Sequence, residues 1–404
     1  MRAVVEGGFA EHLWPGDADR LYATPGWLRA NVTRPGGRPF TVRAGGGDGV
    51  SVLAFLDKGD ESSEAYDLVR TTVRWPLVFP WTPEGEGPLR AALDRRPGTE
   101  AALLPSLRAV LPGYELAVAG PHDPGLLDAA VSRLIGLARD QGAATCAFLY
   151  VPRDAAAVRR VLAGHGFTPV ALTSRGLLRV RWTDLAGYAA ALRPGRGRKV
   201  RVELRKVDAM GLTSRRADPL EGLEAITRLR CAHLTKFGRV PDEAAERARM
   251  AGVLAGFPPE SLRLVLTAHE GRDVACLLLV RHRDTVYAAL SATDPGPGLG
   301  LAHFENAYYA PIRLGLYRPG DVVDYGISHL DAKAWRGCDP CPLDAWVLAF
   351  DDDVHAVLRT VSGLSFRYSE EAPGRPPGEA PGHSTSGAPG RPAGEATGGR
   401  EVGR

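Results

Sequence analysis

The chain has 404 residues, 44% of them hydrophobic, and a formal net charge of +3. This length exceeds one typical domain, so two cores are expected, and the near-balanced charge singles out no partner. No window approaches eighteen apolar residues and no basic segment precedes an apolar run at the start, so neither a membrane span nor a signal peptide is expected. Cys146, Cys231, Cys276, Cys338 and Cys341 form an odd, scattered set, which argues against a disulfide framework and for a reducing, cytoplasmic setting. Of the fifty basic residues only Lys58, Lys199, Lys206, Lys236 and Lys333 are lysine, which makes each more informative than usual.

In the first half, residues 40–43 and 50–56 read as strands, and 57–120 carry no clear assignment. An amphipathic helix over 124–141 follows, with Leu126, Leu127, Ala130, Leu134, Leu137 and Ala138 at helical spacing. A strand at 146–151, a helix at 155–164 and a strand at 167–172 complete this half. The run Arg193, Arg196, Arg198, Lys199, Arg201, Arg205, Lys206 is either a solvated helix face or a dock for a phosphate-bearing substrate. It lacks the aromatic residues that would stack bases.

The second half predicts a strand at 212–216, a helix capped by Asp218-Pro219 and reaching Phe237, and a helix over 242–255 ended by Gly256 and Pro258-Pro259. Strands at 262–268, 274–282 and 285–291 have tight connections and should pair as hairpins. Gly296-Pro297-Gly298-Leu299-Gly300 opens a helix carrying His303, Glu305, Tyr308 and Tyr309. A strand over 322–327 then leads to a loop with His329, Asp331, Lys333, Trp335 and Arg336, and a last strand lies around 345–350. Cys338-Asp-Pro-Cys341 reads as a turn. From about Ser369 the chain holds almost no bulky apolar residue, and a disordered tail is expected. The expectation is thus an α/β chain of two tandem units, 1–180 and 181–368, with a tail over 369–404.

The element order of the second unit resembles the GNAT acyltransferase fold, and 303–340 resembles more narrowly its FemAB-like and BioF2-like branch. The residues that carry this likeness are His303-Phe304-Glu305, Tyr308-Tyr309, Asp324-Tyr325-Gly326, Lys333, Arg336-Gly337 and Pro340. The spacing departs from the family's at Gly326-Ile-Ser-His329-Leu-Asp-Ala-Lys333. The turn is preceded by Asp294-Pro295, an acidic group where an acyl-CoA pyrophosphate would sit. The resemblance implies amide-forming acyl transfer, with the 3′ end of an aminoacyl-tRNA as co-substrate and donor, a small-molecule amine as acceptor, and no tightly bound cofactor. The alternatives are an acyl-CoA or carrier-protein thioester donor, or a non-catalytic binding protein on the same fold.

Such chemistry needs a held donor, a deprotonated nucleophile, an oxyanion site and a proton for the leaving group. Backbone N–H groups near Gly298 and Gly300 are candidates for the oxyanion site, or merely a turn that lets strand and helix pack. The family resemblance makes Lys333 the leading catalytic candidate, as a cation at the tetrahedral centre; Glu305 would be the base and Tyr309 the proton donor. Arg336, His303, His329, Asp324 and Trp335 are the candidate substrate ligands. No residue set has metal-ligand spacing, and nucleotide-binding and nucleophile-elbow motifs are absent. No heptad seam is present, so a monomer is expected.

Overall fold

The computed structural model describes residues 3–59, 66–69, 71–72, 98–294, 296 and 298–371. The first half supplies β1 (Ala3–Gly7), β2 (Arg38–Ala44), β3 (Val50–Asp57), β4 (Ser106–Ala109), β5 (Val118–Ala119), β6 (Thr145–Pro152) and β7 (Thr168–Arg179). The second supplies β8 (Thr213–Ala217), β9 (Leu262–His269), β10 (Arg272–His282), β11 (Thr285–Thr293), β12 (Val322–Asp324) and β13 (Asp339–Ala349). All join one sheet in the order β1-β2-β3-β4-β6-β13-β7-β12-β11-β10-β9-β8, with β5 paired to β3 off this path.

Strand β3, VSVLAFLD, is buried along its whole length, as expected of a strand covered on both faces. Its cover includes the helix Pro124–Asp140, whose start is fixed by the Asp123 side chain accepting from the Leu126 N–H and by Pro124 at the first turn. The predicted hairpins β9–β10–β11 are present and antiparallel. Parallel pairing joins β4 to β6 and β11 to β12. Strand β13, near the end of the described chain, lies between β6 and β7 and pairs antiparallel with both. A second seam joins the halves through the helices Pro25–Asn31 and Glu243–Ala255. There Gly26 and Gly256 touch so closely that a Cβ on Gly26 would meet the Gly256 carbonyl oxygen at 2.3 Å.

Several expectations need correction. The loop predicted after β12 contains a short helix, Leu330–Trp335, which places Lys333 and Arg336 inside the fold. The Cys338–Cys341 segment is not a turn: Asp339 begins β13, and Cys338 is buried. The strand predicted to 327 ends its ladder at Asp324. The helix after the glycine turn runs as Ala302–Phe304, a π-helical segment Glu305–Tyr309, and Ala310–Arg313. A final helix, Asp352–Glu371, covers β7 and β13, and the predicted tail lies almost wholly outside the described residues.

Candidate active site

The strands β11 and β12 pair only at Thr285–Val322, Val286–Val323 and Tyr287–Asp324. Beyond that point β11 continues to Thr293, while the other chain turns away through Gly326, whose φ of +69° favours glycine. The two strands therefore part at Tyr287 and Asp324, in the middle of the shared sheet.

The charges at this parting are paired and buried. Arg175, from β7, donates to Asp324 at 2.6 Å and to the Tyr114 carbonyl at 2.5 Å, and it lies 3.6 Å from Glu115. Asp324 also accepts from the Gly326 N–H at 2.8 Å. The Asp324 carboxylate, expected to be a ligand for a substrate ammonium, thus has an internal cation as its partner. Lys333 is 5% exposed, and its Nζ donates to the Gly326 carbonyl at 2.7 Å. Its stem packs so tightly on Gly176 that a Cβ there would meet Lys333 Cδ at 2.7 Å. Burial lowers the Lys333 ammonium from 10.5 to about 8, with Arg175 pushing the same way and Cys338 and Asp324 opposing.

Glu305 and Tyr309 do not meet. A π-helical segment bonds each residue to the fifth along, so side chains four apart no longer stack on one face. Glu305 is buried against the β8–β9 side, accepting from Arg313 at 2.6 Å and from Ser214 at 2.9 Å. Burial raises its carboxyl, offset in part by Arg313. Tyr309 instead donates its hydroxyl to Glu203 on the basic helix Pro194–Ala209. Arg336 donates to the same carboxylate at 2.7 Å, and its guanidinium lies 3.4 Å from the centre of the Phe304 ring. Neither Asp331 nor Asp339 is its partner; Glu203 is, and the basic run contributes this one buried acid to the site. Tyr308 stacks on Tyr325 with ring centroids 4.5 Å apart.

Three imidazoles are electrostatic neighbours across this region. Burial, reinforced by His329, Arg336, His233 and Lys333, lowers His303 to about 4. Burial together with Arg230, Lys236 and His329 lowers His233 to about 4 as well. His329 is exposed and holds a left-handed backbone (φ 53°) at the start of the Leu330–Trp335 helix. Trp335 lies under Arg196 and Lys199, at 5.7 Å and 4.6 Å from its ring centre. Gly298 is exposed with φ +81°, and Gly300 opens to free space. Asp294 is not an isolated charge beside this turn: Arg272 pairs with it at 2.5 Å. The argument against acyl-CoA that its charge suggested from sequence therefore loses most of its force.

Sequence reasoning missed the first half's contribution. Tyr114 has φ 63° and Tyr150 has φ 58°, strained backbone for non-glycine residues. Their rings contact edge to face, and Tyr114 stacks on Tyr66 at 5.0 Å. Arg34 is the electrostatic neighbour of Tyr66, Tyr114 and Glu246, and Arg230 neighbours Arg34 and Tyr114. A cavity of about 740 Å³ lined by Arg34, Glu246 and Arg249 opens beside them, between the two halves. Burial next to Arg34 lowers Arg249 to about 10. The available signal was Arg175, three residues past the strand expected at 167–172, and Gly113-Tyr114 in the unassigned segment. Among the described residues no group of His, Cys, Asp and Glu is arranged to hold a metal, and no helix is long and apolar enough to cross a membrane.

No protein-family model matches the chain, and no curated protein matches it in sequence. Solved structures do. FemX superposes over 89% of this chain and 100% of its own, at 11% identity and a TM-score of 0.53. The C-terminal DUF2156 domain of a putative lysylphosphatidylglycerol synthetase from Agrobacterium fabrum covers 85% of this chain and 93% of its own, at 13% identity and a TM-score of 0.50. A tandem GNAT protein from the clavulanic acid biosynthesis pathway covers 86% of this chain and 98% of its own, at 12% identity and a TM-score of 0.42. The chain has a tandem GNAT-like α/β fold, the fold of FemX, as the FemAB-like resemblance implied.

Proposed function

We propose that the chain is an amide-forming acyltransferase that works where β11 and β12 part, moving an aminoacyl group from the 3′ end of an aminoacyl-tRNA to a small-molecule amine. The observation that carries this reading is Lys333, a buried ammonium held near 8 beside the parted strands. A cation kept in a dry site at a cost to stability suits a charge that appears only in the transition state. The fold shared with FemX and with the domain of a putative lysylphosphatidylglycerol synthetase supports the same class of reaction.

In the proposed step the acceptor ammonium first gives up one proton. Its nitrogen attacks the ester carbonyl, the C–N bond forms, and the carbonyl oxygen becomes an oxyanion opposite the Lys333 ammonium. The C–O bond to the ribose then breaks; the nitrogen's second proton leaves, and one proton ends on the departing 3′ oxygen. His303 and His233 are neutral above about pH 5, so neither supplies the proton for the leaving oxygen. The Arg34–Arg230–Arg249 side of the cleft suits an anionic part of either substrate.

The test is transfer by the purified full chain from aminoacyl-tRNA to a panel of amines, with acetyl-CoA as the parallel donor. Amide product from the tRNA that is lost in Lys333→Met supports the reading. Product from acetyl-CoA alone moves the protein to thioester chemistry, which the neutralised Asp294 permits. Binding of donors without product from either leaves a non-catalytic binding role.

A further inference from the structure

Arg216, Arg263, Arg281 and Arg318 converge on a cavity of about 210 Å³ at the starts of β11 and β12. The ladder registers explain why. Arg216 pairs with Val265 on β9, Arg263 pairs with Leu279 on β10, and Arg281 pairs with Val286 on β11. Directly opposed residues share a face, as do residues two apart, so these three arginines line one side of the sheet. Arg318 reaches them from the segment after the Ala310–Arg313 turn. This face carries Val286, whereas the next residue, Tyr287, points to the opposite side with Asp324. Lys333, over Gly176, is on the Val286 side as well, so the separation runs along the strands: the pocket lies at the starts of β11 and β12, and none of its lining residues belongs to the proposed cleft.

Four guanidiniums here outnumber the acids beside them, and only Arg281 has an ion-pair partner among the described residues. Asp321 is held by Arg281 through two bonds of 2.7 Å and accepts from the Arg318 backbone N–H at 2.7 Å. Asp284 is a further electrostatic neighbour of Arg281, and Glu260 on the rim is exposed and makes no ion pair among the described residues. Arg263 donates to the Leu262 carbonyl at 2.6 Å. The Arg216 and Arg318 guanidiniums make no hydrogen bond or ion pair among the described residues. The neighbouring helix end does not require them either. Its carbonyls at Ala310, Pro311 and Ile312 accept from the backbone N–H groups of Leu314, Leu316 and Gly315 at 2.9, 2.9 and 3.1 Å. The clustering depresses Arg263 through burial and through its three arginine neighbours.

We infer that this pocket binds a phosphate group, gripped by Arg216, Arg263 and Arg318 with Arg281 fixed behind them by Asp321. Its volume is below the roughly 300–1,000 Å³ of sites for whole organic ligands, so it takes one charged group and not a complete metabolite. Guanidinium forks match phosphate oxygens bidentately. The phosphate belongs either to an RNA backbone or to a free phosphorylated molecule. The inference does not rest on the proposed transfer reaction.

The test compares the full chain with an Arg216→Gln/Arg318→Gln double variant. Both side chains are exposed, so the variant should keep its thermal midpoint. Pyrophosphate binding is read by calorimetry and deacylated tRNA binding by fluorescence anisotropy over a salt series. A tenfold or larger loss for tRNA, with the salt slope reduced by about two, assigns an RNA backbone. A tenfold or larger loss for pyrophosphate with tRNA unchanged assigns a free phosphorylated ligand. If the double variant does unfold, Arg318→Glu alone is read on the same two probes. Equal binding by wild type and variant for both probes, or no binding of either by wild type, overturns the inference. Transfer from a short aminoacyl ester without an RNA body should be unchanged in the double variant. If no transfer is found from any donor while the binding contrast persists, the pocket stands and the transfer reading falls.

Discussion

Lys333→Met replaces a buried ammonium by an apolar side chain of similar length. The fall from 10.5 to about 8 spans about 2.5 pH units, which at about 1.4 kcal/mol each places some 3 kcal/mol against the protonated folded state. The sign follows from proton uptake. Below about pH 8 both folded and unfolded chains are protonated and the full penalty applies. Between about 8 and 10.5 the unfolded chain binds more protons, so wild-type stability rises with pH through that window. The variant has no penalty, but it loses the Lys333 hydrogen bond to the Gly326 carbonyl, which keeps its bond from the Gly176 N–H at 3.0 Å, at a cost of about 1–1.5 kcal/mol. Lys333→Met should therefore be more stable than wild type at pH 7 by about 1–2 kcal/mol, with the gap closing by pH 10. Urea unfolding at the two pH values measures it. The same variant should lose about 100-fold or more in kcat, the usual loss for one oxyanion-stabilising group. A variant less stable at pH 7 and fully active would refute the reasoning and make Lys333 a structural lysine.

Turnover should fall as pH rises through about 8, because the proposed role needs the ammonium; a rate profile flat from pH 6 to 10 contradicts it. No acid limb is expected between pH 5 and 7 from His303 or His233, which are already neutral there. Gly176→Ala pushes a methyl into the Lys333 stem and should depress kcat more than it lowers stability, read as a comparison of turnover with urea midpoint. Asp324→Asn leaves buried Arg175 with Glu115, 3.6 Å away, as its remaining acid and should cost about 3 kcal/mol, the low end for a broken buried pair, in denaturant unfolding. Gly26→Ala forces the Pro25–Asn31 and Glu243–Ala255 helices apart and should cost about 1–3 kcal/mol by the same measurement.

Most of the local structure was legible because it rests on short-range signals. The three hairpin strands, the Pro124–Asp140 helix with its Asp123 cap and the Glu243–Ala255 helix fall within a few residues of their expected bounds. Three features were not legible, each for a physical reason. The Leu330–Trp335 helix is short and starts from a histidine in the left-handed region, uncommon for a non-glycine residue, in place of a side-chain cap, so its residues read as loop. The π segment Glu305–Tyr309 departs from α-helical spacing, so the expected base Glu305 and proton donor Tyr309, four residues apart, do not share a face as an α-helix would place them. The partners Glu203 for Arg336 and Arg175 for Asp324 lie 133 and 149 residues away, and no periodicity encodes such distances.

That long-range pairing also explains why the candidate site, expected in one half, brings together residues of both. Strand β7 borders β13 over most of its length and then β12, so Arg175 projects from the strand that links the two halves. The insertion of β13 between β6 and β7 holds this link from the other side. Opening the cleft would break the β13 ladders as well as the Arg175–Asp324 pair, which makes rigid separation of the halves costly. Substrate entry should therefore come from movement of the segments around the cleft, such as the exposed glycines at 298 and 300 and the stretch holding Ser328 and His329, and not from hinging of the halves.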